Sequence, residues 1–167
     1  MNENVIIRKA RQRDLEAMLK IYNSEVKTST ATFDIREKTI QEWQQWFEQH
    51  NDEIHPVFAA ELDGHICGYA SLSRYREKEA YKTTVELSVY VDKQYRNIGI
   101  ADSLMKHIIE YAKCIGGIHC IVSVITAGNE VSAHLHKKHG FSYSGTLHEV
   151  GMKFGEYLGT DNYELRI

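Results

Sequence analysis

The chain has 167 residues, of which 43% are apolar and 26% are charged, and its formal net charge is -3 at pH 7. This composition is typical of one globular domain with a substantial core, so we expect a single domain over residues 1–167. The scattered basic residues argue against a nucleic-acid partner, and no segment approaches the ~20 apolar residues that span a membrane. The start of the chain lacks the pattern of a secretory signal, which indicates a cytoplasmic protein.

The first third of the chain predicts a strand and two helices. The apolar run near the start, in MNENVIIRKA, indicates the strand. A helix follows Asp14, which we expect to cap it or to stabilise its dipole, because apolar residues recur there at helical spacing: Leu15, Met18, Leu19, Tyr22 and Val26. Thr39 and Glu42 resemble a capping box, and they predict a second helix with Ile40, Trp43 and Phe47 on one face.

The remainder predicts strands that alternate with helices. Asp63-Gly64 lies between two β-prone runs and indicates a hairpin, which the segment TVELSVYV extends. A helix should follow and stop at Gly116-Gly117, and then come the strand HCIVSVIT and a short helix capped by Asn129. The segments FSYSGTLHEV and DNYELRI complete the sheet. The predicted order is β-α-α-β-β-β-α-β-α-β-β, an α/β fold with a mixed sheet covered by helices.

The segment YRNIGIADSL joins a predicted strand to a predicted helix. Neither the Walker pattern G-x-x-x-x-G-K-S/T nor the dinucleotide pattern G-x-G-x-x-G is present. Arg96, one glycine and a small residue precede the helix instead, in the spacing Gln/Arg-x-x-Gly-x-Gly/Ala. A helix start has unpaired N–H groups and a positive dipole end, so this loop is a candidate site for a phosphate group.

This spacing and four longer segments resemble the GNAT superfamily of acyl-coenzyme A N-acyltransferases, in its phosphinothricin and methionine sulfone N-acetyltransferase branch. The segments are IYNSEVKTSTATFD, TVELSVYV, NEVSAHLHKKHGF and VGMKFG. The resemblance covers the chain end to end. It implies a GNAT-like mixed, mostly antiparallel sheet with a splayed central strand pair, acetyl-coenzyme A as co-substrate, a small amine as acceptor, and a homodimer.

Three local features depart from this branch. Asn97 stands where many relatives have glycine, although asparagine tolerates left-handed backbone geometry best among the other residues. Asp102 adds a carboxylate beside the expected pyrophosphate, which we expect to weaken cofactor affinity. The segment SRYREKEAY replaces a tighter Arg-Pro-Ala-Tyr arrangement, so the identity of the acceptor stays open.

Glu86 is the candidate general base. It lies on the opposite face of its strand from Val85 and Leu87, and burial in a central strand would raise its pKa towards that of a useful base. The residues alone favour a carboxylate that faces solvent or pairs with Lys82. The resemblance places the family's acidic residue at Glu86 and therefore favours catalysis, directly or through a water.

The resemblance also assigns the cofactor contacts. The Val89 N–H would face the thioester oxygen, while Arg96 and the loop N–H groups would hold the pyrophosphate. His136 is either a proton donor to the leaving thiolate or a structural histidine. The expected cofactor-binding residues are Val89, Tyr90, Val91, Arg96, Asn97, Ile98, Gly99, Ile100, Ala101, Asp102, Asn129 and Ser132.

Arg74 and Arg76 precede the central strand and suit a bidentate grip on the carboxylate of an amino-acid acceptor, although two arginines in a polar loop also suit a solvated surface. We expect Phe33 and Tyr81 to line the acceptor pocket. No metal site is expected, because His134 and His136 point about 200° apart on a helix and cannot join His139 around one ion.

The cysteines Cys67, Cys114 and Cys120 lack metal-ligand spacing, so we expect reduced, mostly buried thiols with no acyl-enzyme role.

The sequence and the resemblance together predict direct acetyl transfer from acetyl-coenzyme A to a small amine, an amino acid or an analogue. Two alternatives are a coenzyme A-binding sensor without turnover and an acetyltransferase that acts on proteins or peptides.

Overall fold

The computed structural model describes residues 5–50 and 52–167. Its strands are β1 (Val5–Lys9), β2 (Val57–Leu62), β3 (His65–Arg74), β4 (Thr84–Val91), β5 (Cys120–Thr126), β6 (Ser142–Lys153) and β7 (Glu156–Arg166). Its α-helices are α1 (Leu15–Thr28), α2 (Ile40–Glu48), α3 (Ile100–Ile115) and α4 (Glu130–Lys138). The predicted order of elements is confirmed. No helix among the described residues is both long enough and apolar enough to cross a membrane.

The strands form one seven-stranded sheet in the order β1-β2-β3-β4-β5-β7-β6. Neighbouring strands are antiparallel except β4 and β5, which are parallel. The predicted mixed, mostly antiparallel sheet is therefore confirmed. Strand β4, which carries Glu86, occupies the central position.

Helices cover the two faces of the sheet and divide the core into two clusters. Alternate residues of β2 supply both, as the pleat of a strand requires. Phe58 and Ala60 join the cluster under α3, whereas Val57 and Ala59 join the cluster under α1 and α2. The β3–β4 pair thus carries a buried layer of side chains on each face.

The pairing of β4 with β5 ends early. The last pair in register is Glu86 with Val122, although β4 continues to pair with β3 as far as Val91. Strand β5 meanwhile continues along β7 to Thr126. The two central strands therefore diverge beyond Glu86, and from Leu87 onward one edge of β4 has no strand partner among the residues that the structure describes.

Local signals in the sequence act as expected. Thr39 Oγ1 accepts from the Glu42 N–H at 3.2 Å, and Glu42 Oε2 accepts from the Thr39 N–H at 2.8 Å, which completes the capping box of α2. Asp63 and Gly64 have φ of 50° and 81° and form the turn between β2 and β3.

Three expectations need correction. Of the two roles expected for Asp14, capping of α1 is wrong, because its carboxylate instead accepts from the Arg8 guanidinium and the Arg11 N–H, whereas stabilisation of the helix dipole stays a prediction. Strand β7 begins five residues earlier than predicted, at Glu156, because Phe154 and Gly155 adopt positive φ and form a tight turn. Of the three thiols only Cys67 is buried: Cys114 is exposed and Cys120 is half-buried.

Candidate active site

A cleft opens where β4 and β5 diverge, and we call it the β4–β5 cleft. Its volume is about 710 Å³. It is walled by the free edge of β4, by residues 124–126 of β5 and by the first turns of α3 and α4. The predicted site residues that line it are Val89, Tyr90, Val91, Arg96, Asn97, Gly99, Ile100, Ala101, Asp102, Asn129, Ser132 and His136. Ile98 is the one predicted cofactor residue outside this lining, with 38% of its surface exposed.

The loop before α3 leaves backbone donors free. Gly99 precedes the helix with φ of 89°, and an added Cβ there would meet no atom within 4 Å. Its carbonyl accepts from the Ser103 N–H at 3.0 Å, so the N–H groups of residues 100–102 have no acceptor within the helix. Asn97 also has positive φ, 64°, which agrees with the tolerance expected of asparagine. The result is an open anion site at a helix start.

Arg96 is tied to helix α1. One of its terminal nitrogens donates to Glu25 Oε1 at 2.6 Å, and the other oxygen of that carboxylate accepts from Ser29 Oγ at 2.6 Å. The Glu25 side chain is 3% exposed, whereas that of Arg96 is 44% exposed. Glu25 was not predicted as a site residue. A charged residue on the apolar stripe of α1 was the signal in the sequence.

The charge of Asp102 is compensated within the protein. Its Oδ1 lies 2.7 Å from Lys138 Nζ and 2.9 Å from His139 Nε2. The hydrogen bond from Lys138 lowers the pKa of this carboxyl, and that from His139 does so to a lesser degree. Because Asp102 is paired, it repels an anion at the start of α3 less strongly than the isolated carboxylate that the sequence suggested.

Glu86 lies where the two central strands separate. It is the last residue of β4 to pair with β5, and the next residues along β4, Leu87 and Ser88, line the cleft. Burial raises the pKa of its carboxyl, and no charged partner contributes to the shift. An ion pair with Lys82 does not form among the described residues. Glu86 is therefore an unpaired, half-buried carboxylate that precedes lining residues of the cleft along β4 but does not itself belong to the lining.

The hydrogen bonds of His136 define its protonation. Its Nδ1 lies 2.7 Å from the Ser132 carbonyl oxygen, which can only accept, so Nδ1 carries the proton of the neutral ring. The side chain is 5% exposed and packs on Phe141 and Tyr163. Burial lowers the pKa of this imidazole, which favours the neutral form with an unprotonated Nε2.

Asn129 fixes the start of α4, which forms one wall of the cleft. Its Oδ1 accepts from the Ser132 N–H at 3.1 Å, and this confirms the predicted cap. The side chain also belongs to the lining of the cleft. Capping and lining are therefore compatible at this residue.

A second cavity, of about 390 Å³, lies between the β3–β4 pair and helices α1 and α2. We call it the aromatic cavity. It is lined by Tyr22, Asp34, Lys38, Glu42, Trp43, Trp46, Tyr69, Ser71, Ser73, Ser88 and Tyr90. Ser88 and Tyr90 line the β4–β5 cleft as well. The sequence predicts Tyr22 and Trp43 on apolar helix faces but does not indicate that they line a cavity, because the spacing of aromatic residues on α1 and α2 does not distinguish a lining from a filled core.

The predicted acceptor residues lie outside both linings. Arg74 pairs with Glu77 at 3.5 Å, and 62% of its side chain is exposed. The Arg76 guanidinium lies over the rings of Tyr75 and Tyr81, 4.9 and 5.5 Å from their centroids. A role for Arg74, Arg76 and Tyr81 in acceptor binding stays a prediction.

Phe33 and its neighbours contact the β6–β7 hairpin. The Phe33 ring packs so closely on Gly151 that an added Cβ would lie 2.5 Å from it. Lys153 Nζ donates to the Thr32 carbonyl oxygen at 2.7 Å, although Lys153 is 3% exposed. Asp34, the next residue along the chain, lines the aromatic cavity. Phe33 therefore holds the segment that carries Asp34, a residue of the cavity lining, against the β6–β7 hairpin. Direct contact of Phe33 with an acceptor stays a prediction.

Groups of three or more His, Cys, Asp or Glu side chains able to hold a metal ion do not occur in the part of the chain that the structure describes.

Comparison with known proteins identifies the family. The Acetyltransferase (GNAT) domain matches residues 7–160. The chain belongs to the GNAT acetyltransferase family. The predicted resemblance is confirmed, and so is the assignment of the chain to an enzyme family of N-acetyltransferases.

Two curated relatives match this GNAT chain over most of their length. The L-methionine sulfoximine/L-methionine sulfone acetyltransferase of Pseudomonas aeruginosa is 35% identical over 96% of this chain and 94% of its own. The phosphinothricin N-acetyltransferase of Streptomyces coelicolor is 34% identical over 96% of this chain and 95% of its own. A solved structure of yncA, a putative acetyltransferase from Salmonella typhimurium with its cofactor acetyl-CoA, superposes with a TM-score of 0.93 at 30% identity, covering 98% of this chain and 94% of that one.

The buried contact between Glu25 and Arg96 predicts a stability effect. We expect Arg96→Ala to lower the free energy of unfolding by about 1–3 kcal/mol, because it leaves a buried carboxylate without its cation. Glu25→Gln in the same chain should restore most of this loss, since a neutral amide needs no counter-charge. Urea unfolding measures the stabilities of Arg96→Ala and of the double variant that also carries Glu25→Gln. Equal stabilities of these two variants would contradict the assigned ion pair.

Proposed function

We propose that this protein transfers the acetyl group of acetyl-coenzyme A to the amine of a small molecule, an amino acid or an analogue of the methionine sulfone or phosphinothricin type. The observation that carries the proposal is the β4–β5 cleft, which has an open helix start on one wall and, on another, Leu87 and Ser88, which directly follow Glu86 along β4. Membership of the GNAT family and the names of the relatives support the same activity.

The residues of the cleft suit coenzyme A. The free N–H groups of residues 100–102 and the exposed side of Arg96 would hold the pyrophosphate. The unpaired edge of β4 offers backbone donors and acceptors to the amide groups of the pantetheine arm, with Asn129 and Ser132 on the facing wall. In this arrangement the Val89 N–H would stabilise the thioester oxygen as negative charge develops on it.

Glu86 is the proposed general base. An amine must lose a proton before it attacks the thioester carbonyl, and a carboxylate with a raised pKa accepts that proton more readily than an ordinary glutamate. Its position as the last residue of β4 paired with β5, directly before Leu87 and Ser88 of the cleft lining, supports this role. The proton moves from the amine to Glu86 directly or through one water.

The leaving group needs little assistance. A thiol has a pKa near ~8.5, so its thiolate departs without a strong acid. His136 has no proton to give at Nε2 in its favoured neutral form. We therefore propose that His136 acts mainly by packing α4 against Phe141 and strand β7, and that the thiolate takes a proton from solvent.

Direct transfer is favoured over an acyl-enzyme route. The cysteines Cys67, Cys114 and Cys120 belong to neither cavity lining. Burial raises the pKa of the Cys67 thiol to about 11, which makes it a poor nucleophile. Both substrates must then be bound together when the acetyl group moves.

We also propose that the chain is one domain that forms a homodimer in the cytoplasm. All seven strands belong to one sheet, and an exposed free thiol at Cys114 is compatible with a reducing compartment. The β6–β7 hairpin carries apolar side chains that are each more than half exposed: Tyr143, Leu147, Val150, Met152, Phe154 and Tyr157. A patch of this kind suits burial against a second copy.

Gly99 tests the phosphate site, with Gly64 as a matched control. Gly99→Val should weaken acetyl-coenzyme A binding by at least about tenfold, because valine closes the approach to the helix start and strains a residue with positive φ. Gly64 has φ of 81° and equally open surroundings in a distant hairpin. Gly64→Val should lose similar stability yet keep full affinity in calorimetry. Equal affinities of the two variants would contradict the site.

The variant Glu86→Gln tests the role of Glu86 as general base. The amide keeps the size of the side chain but not its basicity, so we expect kcat with methionine sulfone to fall about 10²- to 10⁴-fold while acetyl-coenzyme A binding persists. Because burial raises the pKa of Glu86, the acidic limb of the parent kcat/KM profile should lie above the ordinary glutamate range, and activity should rise with pH through it.

The pH profile of the variant supplies the control, since it should lack that limb. Release of coenzyme A measures the rate. An unchanged kcat would contradict Glu86 as the base. Tight binding of acetyl-coenzyme A with no turnover on any amino acid, analogue or peptide would favour a sensor over an enzyme.

Substitutions in the exposed apolar patch of the β6–β7 hairpin test the proposed homodimer. Met152 and Tyr157 face each other across the strands, so Met152→Lys with Tyr157→Glu introduces opposite charges that keep the hairpin paired. We expect this double variant to be monomeric by size-exclusion chromatography with light scattering. Ile6→Lys, on the opposite edge strand, should remain dimeric. A dimeric double variant would exclude the hairpin as the interface.

A further inference from the structure

Glu25 is a buried carboxylate in the wall of the β4–β5 cleft. It lies in the last part of α1 and lines the cleft together with Ser29, Thr30 and Ala31, which follow that helix. Its side chain is 3% exposed. A carboxylate buried to this degree is unfavourable unless a cation and hydrogen-bond donors compensate it. The partners of Glu25 therefore indicate its role.

Each carboxylate oxygen of Glu25 has a donor. Oε1 accepts from Nη2 of Arg96 at 2.6 Å, and Oε2 accepts from Ser29 Oγ at 2.6 Å. The Ser29 hydroxyl oxygen in turn accepts from the Ala31 N–H at 3.1 Å. The carboxylate is thus held from two sides, by the loop before α3 and by the end of its own helix. Its orientation is fixed before any ligand binds.

The contact with Glu25 leaves part of the Arg96 guanidinium free. Nε donates to the Val91 carbonyl oxygen at 3.4 Å, so the edge formed by Nε and Nη2 faces protein acceptors. Nη1 has no hydrogen-bond acceptor within the part of the chain that the structure describes. The side chain is 44% exposed and belongs to the cleft lining, as Gly99 and Ile100 do. The remaining edge of the planar fork, Nη1 with the outer N–H of Nη2, matches two oxygens of a phosphate group.

A fixed arginine is a better anion contact than a free one. A long side chain loses rotamer freedom when it binds a ligand, and this loss weakens the binding. In this protein the ion pair with Glu25 already restricts Arg96 in the free state. The carboxylate also repels an anion, but the guanidinium 2.6 Å away compensates its charge. We expect the gain from orientation to exceed the remaining repulsion.

We propose that Glu25 is a positioning residue for the cofactor: it holds Arg96 with the free edge of the guanidinium open to the β4–β5 cleft, where the pyrophosphate of acetyl-coenzyme A would bind. The inference rests on the proposed acetyltransferase function and assigns α1 a part in cofactor binding. Glu25 acts through Arg96 and not on the reacting atoms.

Two substitutions of Glu25 separate geometry from charge. The amide of Glu25→Gln can still accept from Arg96 and can donate to Ser29 Oγ, so the Kd of acetyl-coenzyme A should stay within about threefold of the parent value. Glu25→Ala releases Arg96 and should raise this Kd about tenfold, which is within the contribution of one charge-assisted hydrogen bond. Calorimetry measures both values without turnover.

Either of two results would overturn the inference. A Kd in Glu25→Ala equal to or below that of the parent would show that the carboxylate is neutral or competes with the cofactor for Arg96. Equal losses of affinity in the alanine and glutamine variants would show that the hydrogen-bonding geometry of the side chain is not what matters.

A double-mutant cycle tests whether Glu25 acts through Arg96. In a chain that carries Arg96→Ala, the further change Glu25→Ala should leave the Kd of acetyl-coenzyme A unchanged, because the guanidinium that Glu25 positions is gone. A merely structural role at the end of α1 would weaken binding by the same factor in both backgrounds. That result would overturn the inference.

Glu61→Ala is the matched control. Glu61 lies on β2, where its Oε2 is 2.6 Å from Nη2 of Arg8 in another partly buried ion pair, and it belongs to neither cavity lining. This variant should lose stability and keep the parent Kd for acetyl-coenzyme A. A loss of affinity as large as that of Glu25→Ala would assign the effect to general destabilisation and overturn the inference.

A shorter acetyl donor identifies the part of the cofactor that is concerned. Acetyl-pantetheine has the thioester and the two amide groups but no pyrophosphate. Glu25→Ala should lower kcat/KM for acetyl-coenzyme A about tenfold with kcat unchanged, and it should leave kcat/KM for acetyl-pantetheine at the parent value. Equal losses for the two donors would overturn the inference.

The inference and the proposed function fail separately. If the Kd of acetyl-coenzyme A depends on Glu25 as stated but no amine is acetylated, the positioning role stands and the enzyme proposal fails. If amines are acetylated but the Kd does not respond to Glu25→Ala, the enzyme proposal stands and the positioning role fails.

Discussion

The early end of the β4–β5 pairing is the constraint on which the rest of the site depends. A parallel pair continued beyond Glu86 and Val122 would satisfy the backbone of β4 on both edges and close the central sheet. The sheet instead keeps β4 paired with β3 and β5 paired with β7, and it opens between them. The free edge of β4 and the β4–β5 cleft both follow from this interruption, and Glu86 lies where it begins.

The same interruption explains why one short strand serves both proposed substrates. The face of β4 that carries Glu86, Ser88 and Tyr90 adjoins the aromatic cavity, while the unpaired edge of the strand adjoins the β4–β5 cleft. A thioester laid along the edge and an amine held above the face would meet near Glu86. Neither cavity alone brings a nucleophile, a base and an acyl donor together.

Much of the fold was predictable because the determining signals are local. The capping box at Thr39, the turn at Asp63-Gly64 and the glycine stop of α3 each depend on a few neighbouring residues, and each is confirmed. The loop before α3 was recognised for the same reason. The turn at Phe154-Gly155 was missed because phenylalanine seldom adopts positive φ and gives no turn signal.

Contacts between residues distant in sequence account for what was not predicted. The pair of Glu25 with Arg96 joins residues 71 positions apart, and the compensation of Asp102 by His139 joins residues 37 apart. Composition and periodicity carry no information on such partners. The aromatic cavity was missed for a related reason, because whether neighbouring rings fill a core or leave a space depends on the packing of α2 against the sheet.

The packing of Phe33 on Gly151 and the bond from Lys153 to the Thr32 carbonyl have a consequence for regulation. They fasten the segment that carries Asp34 to the hairpin whose outer surface is the proposed contact between copies. If two copies pair through this hairpin as proposed, quaternary state and acceptor affinity would be thermodynamically linked, because ordering of the hairpin would also order Asp34 in the lining of the aromatic cavity. The apparent KM for the acceptor would accordingly fall as protein concentration rises through the dissociation constant of the dimer.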